Sequence, residues 1–162
     1  MLSWQQEAEL HSKQCYPEEA CGLVYIFKGK TKYKACKNIS INPKDTFIID
    51  PLEYAEIFDK ASIIGVFHSH PIDQPYPTPA DKAICEKYKY KWHIYSVDFN
   101  NWYSFEPSGY KAPLVGREYV FGIHDCWSLI RDYFETLNIK LRDWDRPINP
   151  QDFCDNPYFE NC

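Results

Sequence analysis

Two histidines one residue apart and an aspartate further along the chain are the residues whose types and spacing could do chemistry. His68 and His70 end the apolar run SIIGVFHSH, and Asp81 follows a proline-rich loop. Side chains at positions i and i+2 of a strand point to the same face, so the two imidazoles are expected to converge. Two nitrogens and one carboxylate oxygen would leave one position of a tetrahedral zinc ion open for water. The alternative is that the histidines are solvated polar residues and that Asp81 only stabilises a helix start.

The elements needed to position these residues follow from local patterns. The continuous apolar run that ends in the histidines is typical of a buried, central strand. Thr78, Pro79 and Asp81 supply a cap, a first-turn proline and an acid at the start of a predicted helix, DKAICEKYKY. A strand, a loop and a helix in this order can bring the Asp81 carboxylate beside both imidazoles. The combination favours a metal site.

Other patterns predict the elements around this one. Ser3 and Gln6 form a capping box that opens a helix ended by Pro17. Asp50 and Pro51 open a second helix through EYAEIFDKA. The remaining predicted elements are strands, namely a pair in CGLVYIFKGKTKYKACKN around Gly29, the short FIID, and WHIYSVDF and NWYSFE joined by an Asn-Asn turn.

A second segment follows a linker. The stretch PSGYKAPLVGRE has Pro and Gly with little periodicity, which predicts a linker over residues 107–118. Only CWSLIRDYFETL is strongly helical in residues 119–162, and this segment is too short to bury a core by itself. Asp125 is expected to cap the helix, which leaves Cys126 in a first turn that favours thiolate. A lone cysteine on an amphipathic helix is, however, more often a buried, small hydrophobic residue than a nucleophile.

Composition excludes several classes of protein. The formal net charge is −5 and no block of like charges occurs, which argues against binding to nucleic acid or to an anionic membrane. The seven cysteines show no C-x-x-C spacing, so neither a zinc ribbon nor a redox pair is indicated. Acidic residues near the amino terminus and the lack of a long apolar run predict no signal peptide and no membrane-spanning segment.

The histidines, the aspartate and an upstream glutamate together resemble the signature of the JAMM (MPN-type) metallopeptidases. That signature is His-x-His-Pro, a loop and Ser-x-x-Asp, with ten residues between the second His and the Asp, as between His70 and Asp81 here. The family's glutamate lies in an upstream Glu-x-Cys-Gly turn, which EACG at residues 19–22 matches. The resemblance covers residues 1–106. It implies an α/β fold with a mixed, mostly antiparallel β-sheet flanked by helices.

The resemblance also implies a zinc-dependent peptidase with one catalytic Zn²⁺. His68, His70 and Asp81 would hold the metal. Glu19 would take a proton from the metal-bound water and deliver it to the leaving amine. The neighbouring acid, Glu18, fits the register of the motif less well.

Thr78 departs from the family pattern, which usually has Ser at this position. The serine hydroxyl is thought to steady the oxyanion of the tetrahedral intermediate. Threonine keeps the hydroxyl and adds a methyl group, so the resemblance implies a catalytic role for Thr78 at some steric cost. Its alternative role is that of a helix cap.

The second segment resembles another family. GIHDCWSLIRDYF is similar to the nucleophile helix of NlpC-like, papain-type peptidoglycan endopeptidases, which pair their cysteine with a later histidine. No histidine follows His124 in this sequence, and His124 is expected to point away from Cys126. The resemblance therefore implies an incomplete NlpC-like segment over residues 119–162, in which Cys126 is the candidate nucleophile and its activity is uncertain.

A JAMM domain followed by an NlpC-like segment resembles the protein K family of phage tail-tip assembly proteins. This resemblance implies other tail-tip proteins as partners, peptidoglycan peptides as the substrate, and a location at the virion tail tip or in the host cytoplasm during assembly. A JAMM peptidase that trims ubiquitin-like or sulfur-carrier proteins would keep the same four residues. A third alternative is a structural tail-tip subunit without catalytic activity.

Overall fold

The computed structural model describes residues 2–144, so the rest of the predicted segment 119–162 lies outside the described residues. These residues form two compact units. The first comprises residues 2–77 with 88–108, and the second comprises residues 78–87 with 109–144. The predicted boundaries at residues 106 and 119 stay a prediction.

The first unit is built on a five-stranded sheet with the strand order β2-β1-β3-β4-β5. Strands β3 and β4 are parallel, and the other neighbouring pairs are antiparallel. The predicted mixed, mostly antiparallel sheet flanked by helices is confirmed. The strands are β1 (Cys21–Phe27), β2 (Lys30–Cys36), β3 (Ser62–His70), β4 (Lys91–Ser96) and β5 (Asn101–Phe105).

Local signals explain most element boundaries. Helix α1 (Trp4–Cys15) begins with the predicted capping box, and helix α2 (Pro51–Phe58) begins after Asp50, whose side chain accepts a hydrogen bond from the Leu52 N–H. Residues Lys28 and Gly29 both have positive φ, as the tight turn of a β-hairpin requires. The predicted Asn-Asn turn is instead a four-residue turn over 97–100, so β4 ends three residues earlier than predicted.

The predicted strand FIID is wrong, since only an isolated bridge joins Asn38 and Ile49 there. The reason is the Asn38 side chain. Its Nδ2 donates to the carbonyl oxygens of Glu19 and Thr46, and its Oδ1 accepts from the N–H groups of Ser40 and Ile48. Of these groups only the Ile48 N–H belongs to FIID, so the Asn38 side chain takes one backbone donor that a longer ladder would use.

Both faces of the sheet in the first unit carry buried side chains. Phe67 of β3 packs there in a fully buried cluster with Ala8 of α1, Val24 and Tyr95. Residues of a strand alternate between faces, so His68 points to the other side, where its ring contacts Phe47 and Trp92. β3 therefore places Phe67 in this cluster and both histidines on the opposite face.

The second unit contains helices α3 (Pro79–Tyr88) and α4 (Cys126–Thr136). Residues 107–118, the predicted linker, form neither helix nor strand. The Glu86 side chain accepts hydrogen bonds from the N–H groups of Gly109 and Tyr110, which ties the start of this stretch to α3. No helix among residues 2–144 has the length and apolar character needed to cross a membrane.

Candidate metal centre

The two histidines lie at the carboxyl end of β3 and converge as their spacing predicts. His68 is fully buried and His70 is 7% exposed. Their Nε2 atoms are 3.1 Å apart. Both rings therefore present the same nitrogen to one small volume.

Each imidazole is held by surrounding groups. The His70 Nδ1 lies 2.8 Å from the backbone carbonyl oxygen of Gln74, to which it donates, so the Nε2 of the neutral ring carries the lone pair. The His68 ring stacks on Phe47 at a centroid distance of 4.6 Å and meets the edge of Trp92 at 5.4 Å. Aromatic packing and one hydrogen bond thus restrict both rings.

Thr78 and Asp81 form a reciprocal cap at the start of α3. The Thr78 N–H and its hydroxyl both donate to Oδ2 of Asp81, each at 2.8 Å. The Thr78 Oγ1 accepts from the Asp81 N–H at 3.1 Å. The hydroxyl proton is therefore engaged by the Asp81 carboxylate. This geometry is that of a helix cap, and a catalytic role for Thr78 stays a prediction.

Among the described residues, His68, His70 and Asp81 form a group that could hold a metal ion. Each offers one ligand atom, the three atoms lie within 4.8 Å of one another, and all three residues are buried. The structure thus brings together the three residues that the sequence predicts as ligands. Two imidazole nitrogens with one carboxylate oxygen are a donor set that suits a divalent transition metal.

Glu19 precedes β1, next to the strand that carries the histidines. Cys21 pairs with His68, and the Ala20 carbonyl accepts from the Ser69 N–H at 2.9 Å. Continuing this antiparallel register by one residue puts Glu19 opposite His70, on the same face of the sheet. Glu19 is 7% exposed, whereas Glu18 is exposed, and the catalytic role of Glu19 stays a prediction.

Gly22 shows why the turn that carries Glu19 needs glycine at its last position. A Cβ atom at Gly22 would lie 2.5 Å from the Lys34 carbonyl oxygen and from the Tyr33 side chain. Tyr33 packs over this position and its hydroxyl donates to the carbonyl oxygen of Cys21 at 3.4 Å. Burial raises the pKa of the Cys21 thiol, which lies opposite His68.

Sequence reasoning missed the residues that hold the histidines. Gln74 acts through its backbone carbonyl, so its side-chain type carries no signal. Phe47 comes from the segment predicted as a strand, and Trp92 from the next strand of the sheet. Their aromatic character could have indicated only a buried position.

Cys126, the predicted nucleophile of the second segment, is exposed, unlike the buried histidines. Cys126 is the first residue of α4 and is exposed. Asp125 caps the helix as predicted, accepting from the Ser128 N–H at 2.9 Å and from the Gly122 N–H at 3.1 Å. Burial, followed by the Arg117 charge, lowers the pKa of His124. The described contacts of Cys126 include no catalytic partner.

Comparison with known proteins identifies similar chains from phages. The chain is 34% identical to the tail tip assembly protein K of Escherichia phage N15 over 155 residues, which are 94% of this chain and 63% of the relative. It is 24% identical to the tail tip assembly protein K of Escherichia phage lambda over 98 residues, which are 60% of this chain and 47% of that relative. The chain thus spans about half to two thirds of the length of these relatives.

A solved structure and a family profile also match this chain. A protein from Desulfitobacterium hafniense, solved in solution, matches with a TM-score of 0.52 at 24% identity, over 64% of this chain and 79% of that chain, a likeness of fold alone. The profile of the prokaryotic homologs of the JAB domain matches residues 2–106. The chain belongs to the family of prokaryotic homologs of the JAB domain.

Proposed function

We propose that this chain is a phage tail-tip assembly protein with a zinc-dependent peptidase centre that hydrolyses amide bonds in peptidoglycan peptides. The observation that carries the proposal is the buried group of His68, His70 and Asp81, whose ligand atoms lie within 4.8 Å of one another.

The donor set supports zinc as the metal. Zinc lies about 2.0–2.1 Å from a histidine nitrogen, and two such ligands in tetrahedral geometry are about 3.3 Å apart. The Nε2 atoms of His68 and His70 are 3.1 Å apart, close to that value. When bound, a zinc ion supplies Lewis acidity that polarises a peptide carbonyl and acidifies a water molecule.

Residues of the chain would transfer the proton, position Asp81 and exclude water. The Glu19 carboxylate, buried on the histidine face, accepts a proton from the attacking water and returns it to the leaving amine nitrogen. Thr78 steadies the Asp81 carboxylate through its two donated hydrogen bonds. Phe47 and Trp92 exclude water from around His68, which strengthens its interactions with a cation.

The tail-tip part of the proposal is supported by the names of the two phage relatives. Other tail-tip proteins are then the expected partners, and the virion tail tip the expected location. Cys126 is retained in this proposal as the start of an NlpC-like segment. Its role as a nucleophile requires a base from outside residues 2–144, because the described contacts of Cys126 include none.

A structural role without catalysis is a second candidate. Both relatives are named as tail tip assembly proteins, and neither name mentions hydrolysis. In this case the buried histidines and aspartate would stabilise the fold by themselves. Metal content and assembly can be measured separately, so the two candidates are distinguishable.

The deciding experiment is the zinc content of protein purified without added metal, measured by elemental analysis beside a His68→Ala/His70→Ala double variant. We expect near-stoichiometric zinc in the parent and loss in the variant. Parent and variant are then incubated with muropeptides and with a carrier protein ending in Gly-Gly, with and without a chelator. Chelator-sensitive cleavage of muropeptides supports the proposal. Trace metal in both proteins refutes it and favours the structural candidate.

A further inference from the structure

The backbone carbonyl of Gln74 determines which nitrogen of His70 can bind a cation. A carbonyl oxygen only accepts hydrogen bonds, so the His70 Nδ1, at 2.8 Å, carries the proton of the neutral ring. The lone pair is then on Nε2, the atom that faces His68 at 3.1 Å. The orientation of this donor pair therefore depends on where the Gln74 carbonyl lies.

A buried serine ties the turn that contains Gln74 to the sheet. Ser96 is the last residue of β4, is fully buried and is the parallel partner of His70. Its Oγ donates to the carbonyl oxygen of Asp73 at 2.6 Å and accepts from the Phe99 N–H at 3.3 Å. Asp73, the residue immediately before Gln74, is thus hydrogen-bonded to β4, the strand beside β3.

Further hydrogen bonds connect the loop that follows β3 with the residues that follow β4. The Val97 N–H donates to the His70 carbonyl oxygen at 3.0 Å, and the Asp98 N–H donates to the Pro71 carbonyl oxygen at 3.2 Å. These backbone bonds hold the beginning of the loop. The side chains of Ser96 and of its β5 partner Asn101 hold Asp73 and Gln74, respectively.

We propose that Ser96 is a positioning residue of the metal centre, whose hydroxyl holds the turn at Asp73 so that the Gln74 carbonyl keeps the proton of His70 on Nδ1. The inference rests on the proposed metal centre. Ser96 acts through Asp73 and Gln74 and touches neither the ligand atoms nor a substrate. Groups that orient a metal-bound histidine in this way raise metal affinity, because the ligand is already in its binding geometry.

The test is the zinc affinity of Ser96→Ala, measured by competition with a chromophoric chelator. We expect affinity to fall about 3- to 10-fold, less than the roughly 10- to 100-fold effect of losing a direct partner of a ligand. Ser104→Ala is the matched control. Its hydroxyl bonds Nδ1 of His93 at 2.8 Å, a histidine of the same sheet that is not among the proposed ligands. The control should bind zinc like the parent.

Nitrogen-15 NMR of the histidine rings in the metal-free protein supplies a readout that does not depend on zinc. We expect the His70 ring of the parent to be protonated on Nδ1 and that of Ser96→Ala to be a mixture of tautomers. Unchanged zinc affinity together with an unchanged tautomer overturns the inference. If Ser96→Ala does not fold, Ser96→Cys keeps similar volume with a weak donor, and the same criteria apply. A parent without zinc affinity refutes the proposed metal centre, while the ring spectra still decide the role of Ser96.

Discussion

The end of β3 and the start of α4 both carry residues that could catalyse hydrolysis, but the structure surrounds them differently. His68 and His70 are buried, and each ring is held by a stacked side chain or a hydrogen bond. Cys126 is exposed at the first position of α4. A side chain of the right type becomes a catalytic group only where other residues fix its position and protonation. This difference favours the end of β3, and not the start of α4, as the place where hydrolysis would occur.

The two regions also differ in packing. β3 is a central strand, and its last six residues are buried. α4 buries only Ser128, and it exposes several large apolar side chains, namely Leu129, Ile130 and Tyr133. Among the described residues, β3 is therefore more fully buried than α4.

The largest expected effect separates the two candidate catalytic residues. Glu19→Gln should keep zinc but lower the rate of muropeptide hydrolysis by about 10²- to 10⁴-fold, because the base that transfers the proton is lost. Cys126→Ala should leave this rate unchanged. Steady-state rates and zinc content of the same preparations measure both effects.

Glu18→Gln is the control, since Glu18 is the adjacent acid and is exposed. Its rate should equal that of the parent. A loss of activity in Cys126→Ala as large as that in Glu19→Gln would reverse the assignment of the chemistry to the first region.

The difference in packing between the sheet and α4 can be measured by replacing one isoleucine in each. Ile94 in β4 is fully buried, whereas Ile130 in α4 is 45% exposed. Ile94→Ala should lower the free energy of unfolding by about 2–5 kcal/mol, because it leaves a cavity. Ile130→Ala should change it by less than about 0.5 kcal/mol. Urea unfolding followed by tryptophan fluorescence gives both values, and equal losses would show that α4 is packed as tightly as the sheet.

The cap of α3 provides a smaller effect that distinguishes the two roles of Thr78. Thr78→Val should cost about 1 kcal/mol of unfolding free energy and weaken zinc binding, because the hydroxyl no longer holds Asp81, and Thr78→Ser should restore both. Asp50→Ala removes the cap of α2 instead, so it should lower stability without changing zinc affinity. If Thr78→Val lowers only the hydrolysis rate, the hydroxyl acts on the reaction and not on Asp81.

A further expected effect is a dependence of stability on pH that belongs to the sheet unit. Burial, helped by Lys91 and opposed by Glu106, lowers the pKa of His93 from 6.5 to about 4. Between these values the unfolded chain binds a proton that the folded protein does not, so stability is highest above pH 6.5 and falls as the pH approaches 4. His93→Gln should flatten this part of the curve of unfolding free energy against pH. An unchanged slope would show that His93 does not cause it.

Much of the fold was predictable because its signals are local. The capping box at Ser3, the glycine turn at Gly29 and the apolar run that forms β3 each depend on residues close in sequence. The failure at FIID has a different cause, because the Asn38 side chain, ten residues away, accepts the Ile48 N–H that a longer ladder would use. A side-chain hydrogen bond of this kind leaves no periodic signal.

The sequence by itself predicted His68, His70 and Asp81 as candidate metal ligands, since two positions on one strand face and a first-turn acid can be recognised from spacing alone. It also determined Glu19 as the candidate base, through the match to a family motif. Only the tertiary structure decided how the histidines are oriented, because Gln74 acts through its backbone and Ser96 through a turn 23 residues away in sequence. Hydrogen bonds to main-chain carbonyls depend on where the chain passes and not on side-chain identity, so folding has to bring them together first.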